Sequence, residues 1–116
     1  MEYTTFGRTD LKVSVIGLGC GGLSCLGRRS GRSKNESVAL VQQALDMGIN
    51  FIDTARTYDT ESFVEKGIKG HNLDDIIIST KARIDHGDSS SLATQVVAHL
   101  DESLRQLDID CIDIFH

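Results

Sequence analysis

The chain lacks an apolar run near the roughly 20 residues that a membrane-spanning helix requires, so no membrane association is expected. Met1-Glu2-Tyr3 opens without the basic and apolar regions of a signal peptide, which makes the cytosol (a cytoplasmic location) the expected one. Cys20, Cys25 and Cys111 are odd in number and show no repeated paired spacing. That pattern argues against a disulfide framework and against a zinc site, and the three read as small buried or loop residues. His71, His86, His99 and His116 are dispersed with no second ligand at metal spacing, so no metal is expected. Clustered positive charge is scarce as well: 12 Lys and Arg stand against 17 Asp and Glu, a net charge of −5. Neutralising phosphates needs clustered cations, so general nucleic-acid binding is excluded as a working function. The one basic cluster, Arg28-Arg29 with Arg32 and Lys34, lies in a Gly/Ser-rich loop and reads as solvated. Proline is absent altogether, and nothing in the pattern explains it.

What is present suits a folded domain. The 116 residues are 40% hydrophobic and 25% charged, ordinary values for a globular chain with a core. Residues 2–14 alternate loosely around Gly7-Arg8-Thr9-Asp10, with Tyr3, Thr5, Leu11 and Val13 as candidate inward residues of a β-hairpin. Val13 to Leu18 reads as a buried strand, followed by a long loop from Gly19 to Ser33. Ser33-Lys34-Asn35-Glu36 has capping-box spacing, and Val38, Val41, Ala44 and Leu45 repeat at helical intervals up to a stop at Gly48. Phe51-Ile52-Asp53 is a short strand. Thr60 to Lys69 is a second helix with Phe63, Val64 and Ile68 inward and Gly70 at its end. Ile76 to Lys81 is too apolar for a half-exposed strand and predicts a parallel strand covered on both faces. A third helix starts near Ser89-Ser90-Ser91 with Leu92, Val96, Leu100, Leu104 and Leu107 in one stripe, and Ile109 to His116 is a fourth strand. Residues 1–116 therefore form one α/β piece of three consecutive βαβ units, with four parallel strands, three helices and a leading hairpin.

Parallel strands gather their carboxyl ends on one edge, where α/β folds place their chemistry. Gly17-Leu18-Gly19-Cys20-Gly21-Gly22 satisfies Gly-x-Gly-x-x-Gly after a strand, but a polar loop of a dozen residues separates it from the next helix. The acid expected about 20 positions on, at the end of a second strand, is also missing, since Glu36 sits at a helix start and Asp53 comes too late. The glycines are better read as letting backbone approach a flat ligand closely. The second strand contributes Asp53 and, five positions on, Tyr58; the third contributes Lys81; the fourth contributes His116. A phenol is a poor proton donor near neutrality because it ordinarily titrates near 10, and a neighbouring ammonium favours its ionised form. A carboxylate keeps such an ammonium charged and oriented. Asp53, Lys81 and Tyr58 are thus a consistent proton-donating unit for a carbonyl oxygen.

Along essentially its whole length the sequence resembles the aldo-keto reductase family. The resemblance is carried by residues 11–19 (LKVSVIGLG), by 48–55 (GINFIDTA) with Tyr58, by 75–81 (DIIISTK), and by 103–107 (SLRQL) with 110–115 (DCIDIF). It implies a (β/α)8 TIM barrel that uses NADPH without a Rossmann motif and reduces aldehydes and ketones to alcohols. Residue by residue, it implies Tyr58 as general acid, Lys81 tuning it, Asp53 supporting Lys81 near the nicotinamide ribose, and Gly19-Cys20-Gly21 lining the cofactor. The family's catalytic histidine matches position 118, past the last residue, and its role is not carried onto His116. Asp59-Thr60-Glu61 stand where the family commonly has glycine, serine and glutamate, and Glu65 and Gly67 interrupt its usual Val-Gly-Lys-Ala. A complete barrel takes about 250 residues, so the resemblance implies an N-terminal half, truncated after the fourth strand. Such a fragment is expected not to be competent alone. Its exposed sheet edges also allow an alternative, a non-catalytic half-barrel that self-associates or serves as a regulatory subunit.

Overall fold

The chain runs β1 (Tyr3–Thr5), β2 (Lys12–Ser14), β3 (Leu18–Gly19), α1 (Lys34–Asp46), β4 (Phe51–Asp53), α2 (Glu61–Ile68), β5 (Ile77–Thr80), α3 (Leu92–Leu107) and β6 (Ile114–Phe115) in the computed structural model. The structure describes every residue except Ser89. Single turns of 3-10 helix cover Arg28–Ser30, Arg56–Tyr58 and Leu73–Asp75. β1 and β2 form an antiparallel ribbon, and β3-β4-β5-β6 form a parallel sheet in that order. This is the expected half-barrel: a hairpin, four parallel strands and three helices.

Local chemistry places each helix. Ser33 accepts from the Glu36 N–H while Glu36 returns a bond to the Ser33 N–H, the full capping box. Gly48 stops α1 at φ +87°, a conformation that costs glycine little. α2 crosses α1 where a Cβ on Gly67 would lie 2.5 Å from Val41 Cβ, so glycine is what permits that approach, and the departure at this position has a packing reason. Leu18, Ile52 and Ile78 are in register across three strands and therefore share a face. On that face they meet Val41, Phe63, Val64, Ile68 and Leu107 from the helices. Full burial of such a side chain stabilises by about 1.5–3 kcal/mol, so this layer holds the strands together. β5 is buried at all four positions, as a strand covered on both faces must be.

Three expectations need correction. Val13 to Leu18 is not one strand: Ser14 Oγ bonds the Ile16 carbonyl at 2.7 Å and curls the chain, so Val13 and Ser14 belong to the hairpin and Val15 and Ile16 are 51% and 58% exposed. Of the four residues expected inward in the hairpin, Val13 is buried and Leu11 half-buried, while Tyr3 and Thr5 face solvent. The ribbon sits across the amino end of the sheet, with Phe6 packed on Phe51 at 5.5 Å, and presents little area to the core. In the second correction, the apolar stripe of α3 is only partly used. Leu107 is buried, Val96, Leu100 and Leu104 are half-buried, and Leu92 is exposed, while the polar Gln95 and Ser103 are buried instead. Its amide explains Gln95, which holds the preceding loop through the Asp85 N–H at 2.9 Å and the Asp85 carbonyl at 3.2 Å. α3 begins at Leu92 with Ser91 as its cap, and the expected Ser89 lies outside the described residues. Lastly, the Ile109 to His116 strand shrinks to Ile114–Phe115, because the Asp113 carboxylate accepts the Ile78 N–H at 2.8 Å. Among the described residues, no helix is long and apolar enough to cross a membrane.

Asn50 joins the hairpin to the sheet. Its Oδ1 accepts the Ser14 N–H at 2.6 Å, its Nδ2 donates to the Lys12 carbonyl at 2.9 Å, and its own N–H donates to Ser14 Oγ at 3.1 Å. Asn50→Ala removes the two side-chain bonds and is expected to cost about 1–3 kcal/mol in urea unfolding. A loss below a few tenths would show that the hairpin is not anchored there.

Candidate active site

The site begins with register. Gly19 pairs with Asp53, and Asp53 with Ser79, so these three share the face opposite the helix-covered one. Asp53 ends β4, and its Oδ1 accepts Lys81 Nζ at 2.6 Å and Ser79 Oγ at 3.2 Å. Lys81, two residues beyond Ser79, also donates to the Thr54 carbonyl at 3.0 Å. After β4 the chain makes one 3-10 turn, Arg56–Tyr58, which returns the Tyr58 ring over the sheet edge. There Lys81 Nζ lies 5.3 Å from the ring centroid. The ammonium thus sits between carboxylate and phenol, with the Lys81 and Asp53 side chains 32% and 39% exposed. The three residues expected to form a proton-donating unit are brought together at one rim.

The glycine-rich segment shapes the space beside them. A Cβ on Gly21 would fall 2.6 Å from Tyr58 Cε2, so the phenol rests directly on backbone. A Cβ on Gly19 would meet nothing within 4 Å, which leaves open space on the Asp53 face. Cys20, between them, points the other way. Its side chain is fully buried in the core behind the sheet, and its N–H donates to the Asp53 carbonyl at 2.8 Å. Burial, and secondarily the Asp53 carboxylate, push the Cys20 thiol up to about 12, against an opposing pull from Lys81. Only the backbone of Cys20 is therefore available at the rim, so any lining by Gly19, Cys20 and Gly21 would be by main chain.

Several supporting residues were not singled out by sequence reasoning. The Thr54 carbonyl and the Ser79 hydroxyl orient Lys81 and Asp53. Glu61 is buried at the start of α2, where its Oε1 accepts the Thr80 hydroxyl at 2.8 Å; the Thr54 and Thr60 hydroxyls meet at 3.3 Å. Helix-start spacing marks Glu61 as a first-turn acid, but its burial depends on the strand that passes it. His116 extends β6, donating its N–H to the Thr80 carbonyl at 3.0 Å and accepting the Ala82 N–H at 2.7 Å. Its side chain is exposed, and alternation from Ile114, the partner of Ser79, puts it on the Asp53 face.

The open position at Gly19, with the Asp53 carboxylate beside it, can take a planar group against main chain and a hydrogen-bond donor toward the carboxylate. Among the described residues no group of three acidic, His or Cys side chains could hold a metal. Because its thiol is raised and buried, Cys20 is expected to resist iodoacetamide in the folded chain at mildly alkaline pH, while exposed Cys111 reacts. Peptide mass mapping that finds Cys20 alkylated at the same rate as Cys111 would contradict its placement.

The chain is similar to known proteins over the same elements. The Aldo/keto reductase family profile matches residues 16–116. L-galactose dehydrogenase of Arabidopsis thaliana is 37% identical over 123 aligned residues, covering 100% of this chain and 37% of that protein. Aldo-keto reductase YhdN of Bacillus subtilis (strain 168) is 32% identical, covering 99% of this chain and 37% of that protein. The solved structure of aldo-keto reductase AKR11C1 from Bacillus halodurans, in a holo form, superposes with a TM-score of 0.76 at 34% identity, covering 99% of this chain and 39% of that one. The thermostable aldo-keto reductase Tm1743, solved with the inhibitor epalrestat, gives 0.79 at 28% identity, covering 99% and 42%. The chain spans well under half the length of the relatives it matches. A profile match across the sheet, the helices and the rim that joins Asp53, Tyr58 and Lys81 means that the chain belongs to the aldo/keto reductase family.

Proposed function

We propose that this chain carries the proton-donating side of an NADPH-dependent oxidoreductase that interconverts aldehydes or ketones and alcohols. The observation that carries the reading is the Lys81 ammonium held between the Asp53 carboxylate at 2.6 Å and the Tyr58 ring at 5.3 Å. Family membership and the dehydrogenase and reductase names of the relatives support the reaction class. A reduced nicotinamide supplies a hydride equivalent when bound. Asp53, the Gly19 backbone and the backbone of Cys20 and Gly21 are the groups that would hold it. In the reducing direction Tyr58 donates its hydroxyl proton to the carbonyl oxygen, and Lys81 stabilises the negative charge left on the phenol oxygen. Asp53 fixes the ammonium in place, assisted by the Thr54 carbonyl. In the oxidising direction the same phenol oxygen takes the proton back. The relatives extend well beyond the stretch they share with this chain, and further strands of a complete barrel would wall the substrate space.

The test is NADPH consumption with a panel of aldehydes and ketones, in protein carrying this chain within a complete barrel. Tyr58→Phe is expected to lower kcat by about 10²-fold or more with KM little changed, because the ring stays and the proton donor goes. Lys81→Met is expected to lower it to a similar degree. Turnover equal to the unsubstituted protein in Tyr58→Phe would defeat the assignment.

One observation favours a second reading, a non-catalytic half-barrel that pairs with itself or with another subunit. Among the described residues β3 and β6 each have a strand partner on one side only, and four strands are half of the eight that close a barrel. Static light scattering on the purified chain is expected, under this reading, to show twice the 12.7 kDa monomer mass. A folded monomer that binds NADPH tightly would contradict it.

A further inference from the structure

The turn that presents Tyr58 ends on an unusual backbone. Asp59 caps it at φ 55°, ψ 39°, the left-handed region that a side chain disfavours, and stands where the resemblance places glycine. One residue reaches across 31 positions to this point. Arg28 Nη1 donates both to the Asp59 carbonyl at 2.7 Å and to Asp59 Oδ2 at 2.8 Å. The Arg28 guanidinium also lies 5.4 Å from the ring centroid of Phe63, itself buried in the core. A salt bridge with side chains 37% and 82% exposed would matter little by itself. Here the charge also bonds a backbone carbonyl and stacks on a core ring, so three contacts converge on one group.

The clasp ties this loop to the turn that carries Tyr58. Arg28 belongs to the Gly19 to Ser33 loop, whose Gly21 forms the surface on which the Tyr58 ring rests. The loop therefore touches the Tyr58 turn twice, through Gly21 beneath the phenol and through Arg28 at Asp59. We propose that Arg28 is a positioning residue for Tyr58. It locks Asp59 in the left-handed conformation that glycine would adopt freely, and in doing so fixes the phenol against Gly21. This rests on the reading of Tyr58 as the proton donor only for its consequence on turnover; the positioning itself is a property of the chain.

The chain has two tyrosines and no tryptophan, so Tyr3→Phe leaves Tyr58 as the sole strong emitter. Acrylamide quenching of that emission, with a neutral quencher unaffected by loss of the Arg28 charge, reads the exposure of the Tyr58 ring. In the Tyr3→Phe background, Arg28→Ala is expected to raise the quenching constant about twofold, through local opening of the loop. Arg28→Lys keeps the charge without the planar fork and is expected to fall between. Asp59→Gly removes the need for the lock, so adding Arg28→Ala to it is expected to produce less than half of that rise. Unchanged quenching in Arg28→Ala, with far-UV circular dichroism intact, overturns the proposal. An equal rise with and without Asp59→Gly overturns the role given to Asp59. Should Arg28→Ala not fold, Arg28→Lys carries the same test, and quenching equal to the parent then overturns it. Full turnover in Tyr58→Phe, alongside the quenching rise, would remove the proposed reaction and leave the clasp standing.

Discussion

The parallel register of β3, β4 and β5 is the constraint on which the site depends. Gly19, Asp53 and Ser79 occupy matched positions in adjacent strands, so their side-chain directions agree and a carboxylate from one strand end can meet an ammonium from the next. Lys81–Asp53 does not itself hold the strands together. With both side chains about one-third exposed, such a pair contributes on the order of 1 kcal/mol or less, while each apolar residue buried behind the sheet contributes more. The strands are held by Leu18, Ile52 and Ile78 on one face, and the ion pair uses the alignment on the other.

The same division recurs around Tyr58. Its position comes from contacts that are individually modest: Gly21 beneath the ring, Lys81 beside it and Arg28 on the following residue. Behind the turn lies a buried polar layer, in which Glu61 accepts the Thr80 hydroxyl and Thr54 meets Thr60. Glu61 Oε2 is buried with no protein partner among the described residues, which is costly for a carboxylate oxygen. Thr80 directly precedes Lys81, and Thr54 directly follows Asp53. The polar layer thus ties α2 to the two strand ends that carry the charged pair, and the stability given up there is consistent with a site held rigid.

The two ends of the sheet are finished differently. At the amino end the hairpin closes the sheet, with Phe6 on Phe51 and Asn50 bonded to Lys12 and Ser14. Laterally, among the described residues, β3 and β6 are the outer strands of the sheet, of two residues each. At the carboxyl end the rim gathers Asp53, Tyr58 and Lys81, and the relatives continue well beyond the stretch they share with this chain.

Much of this was legible in the sequence because it is local. Capping at Ser33 and Glu36, the inward residues of α2, the fully buried β5 and the βαβ order follow from spacing and side-chain type over a few positions. The gathering of Asp53, Tyr58 and Lys81 was also legible, since parallel strands place their carboxyl ends together and the family motif names the same residues. Other features depended on contacts between distant positions, which a linear pattern does not encode. Ser14 curls the chain and splits the expected first strand, Asp113 takes a ladder bond and shortens the last, and half-turn alternation sends the Cys20 thiol into the core while Gly19 faces the site. Arg28 read as a solvated loop cation until the fold brought it 31 positions along the chain onto Asp59. Residue type and spacing determined which elements form and which groups can do chemistry; tertiary packing decided which way each strand-end side chain points, because orientation is set by register against neighbouring strands.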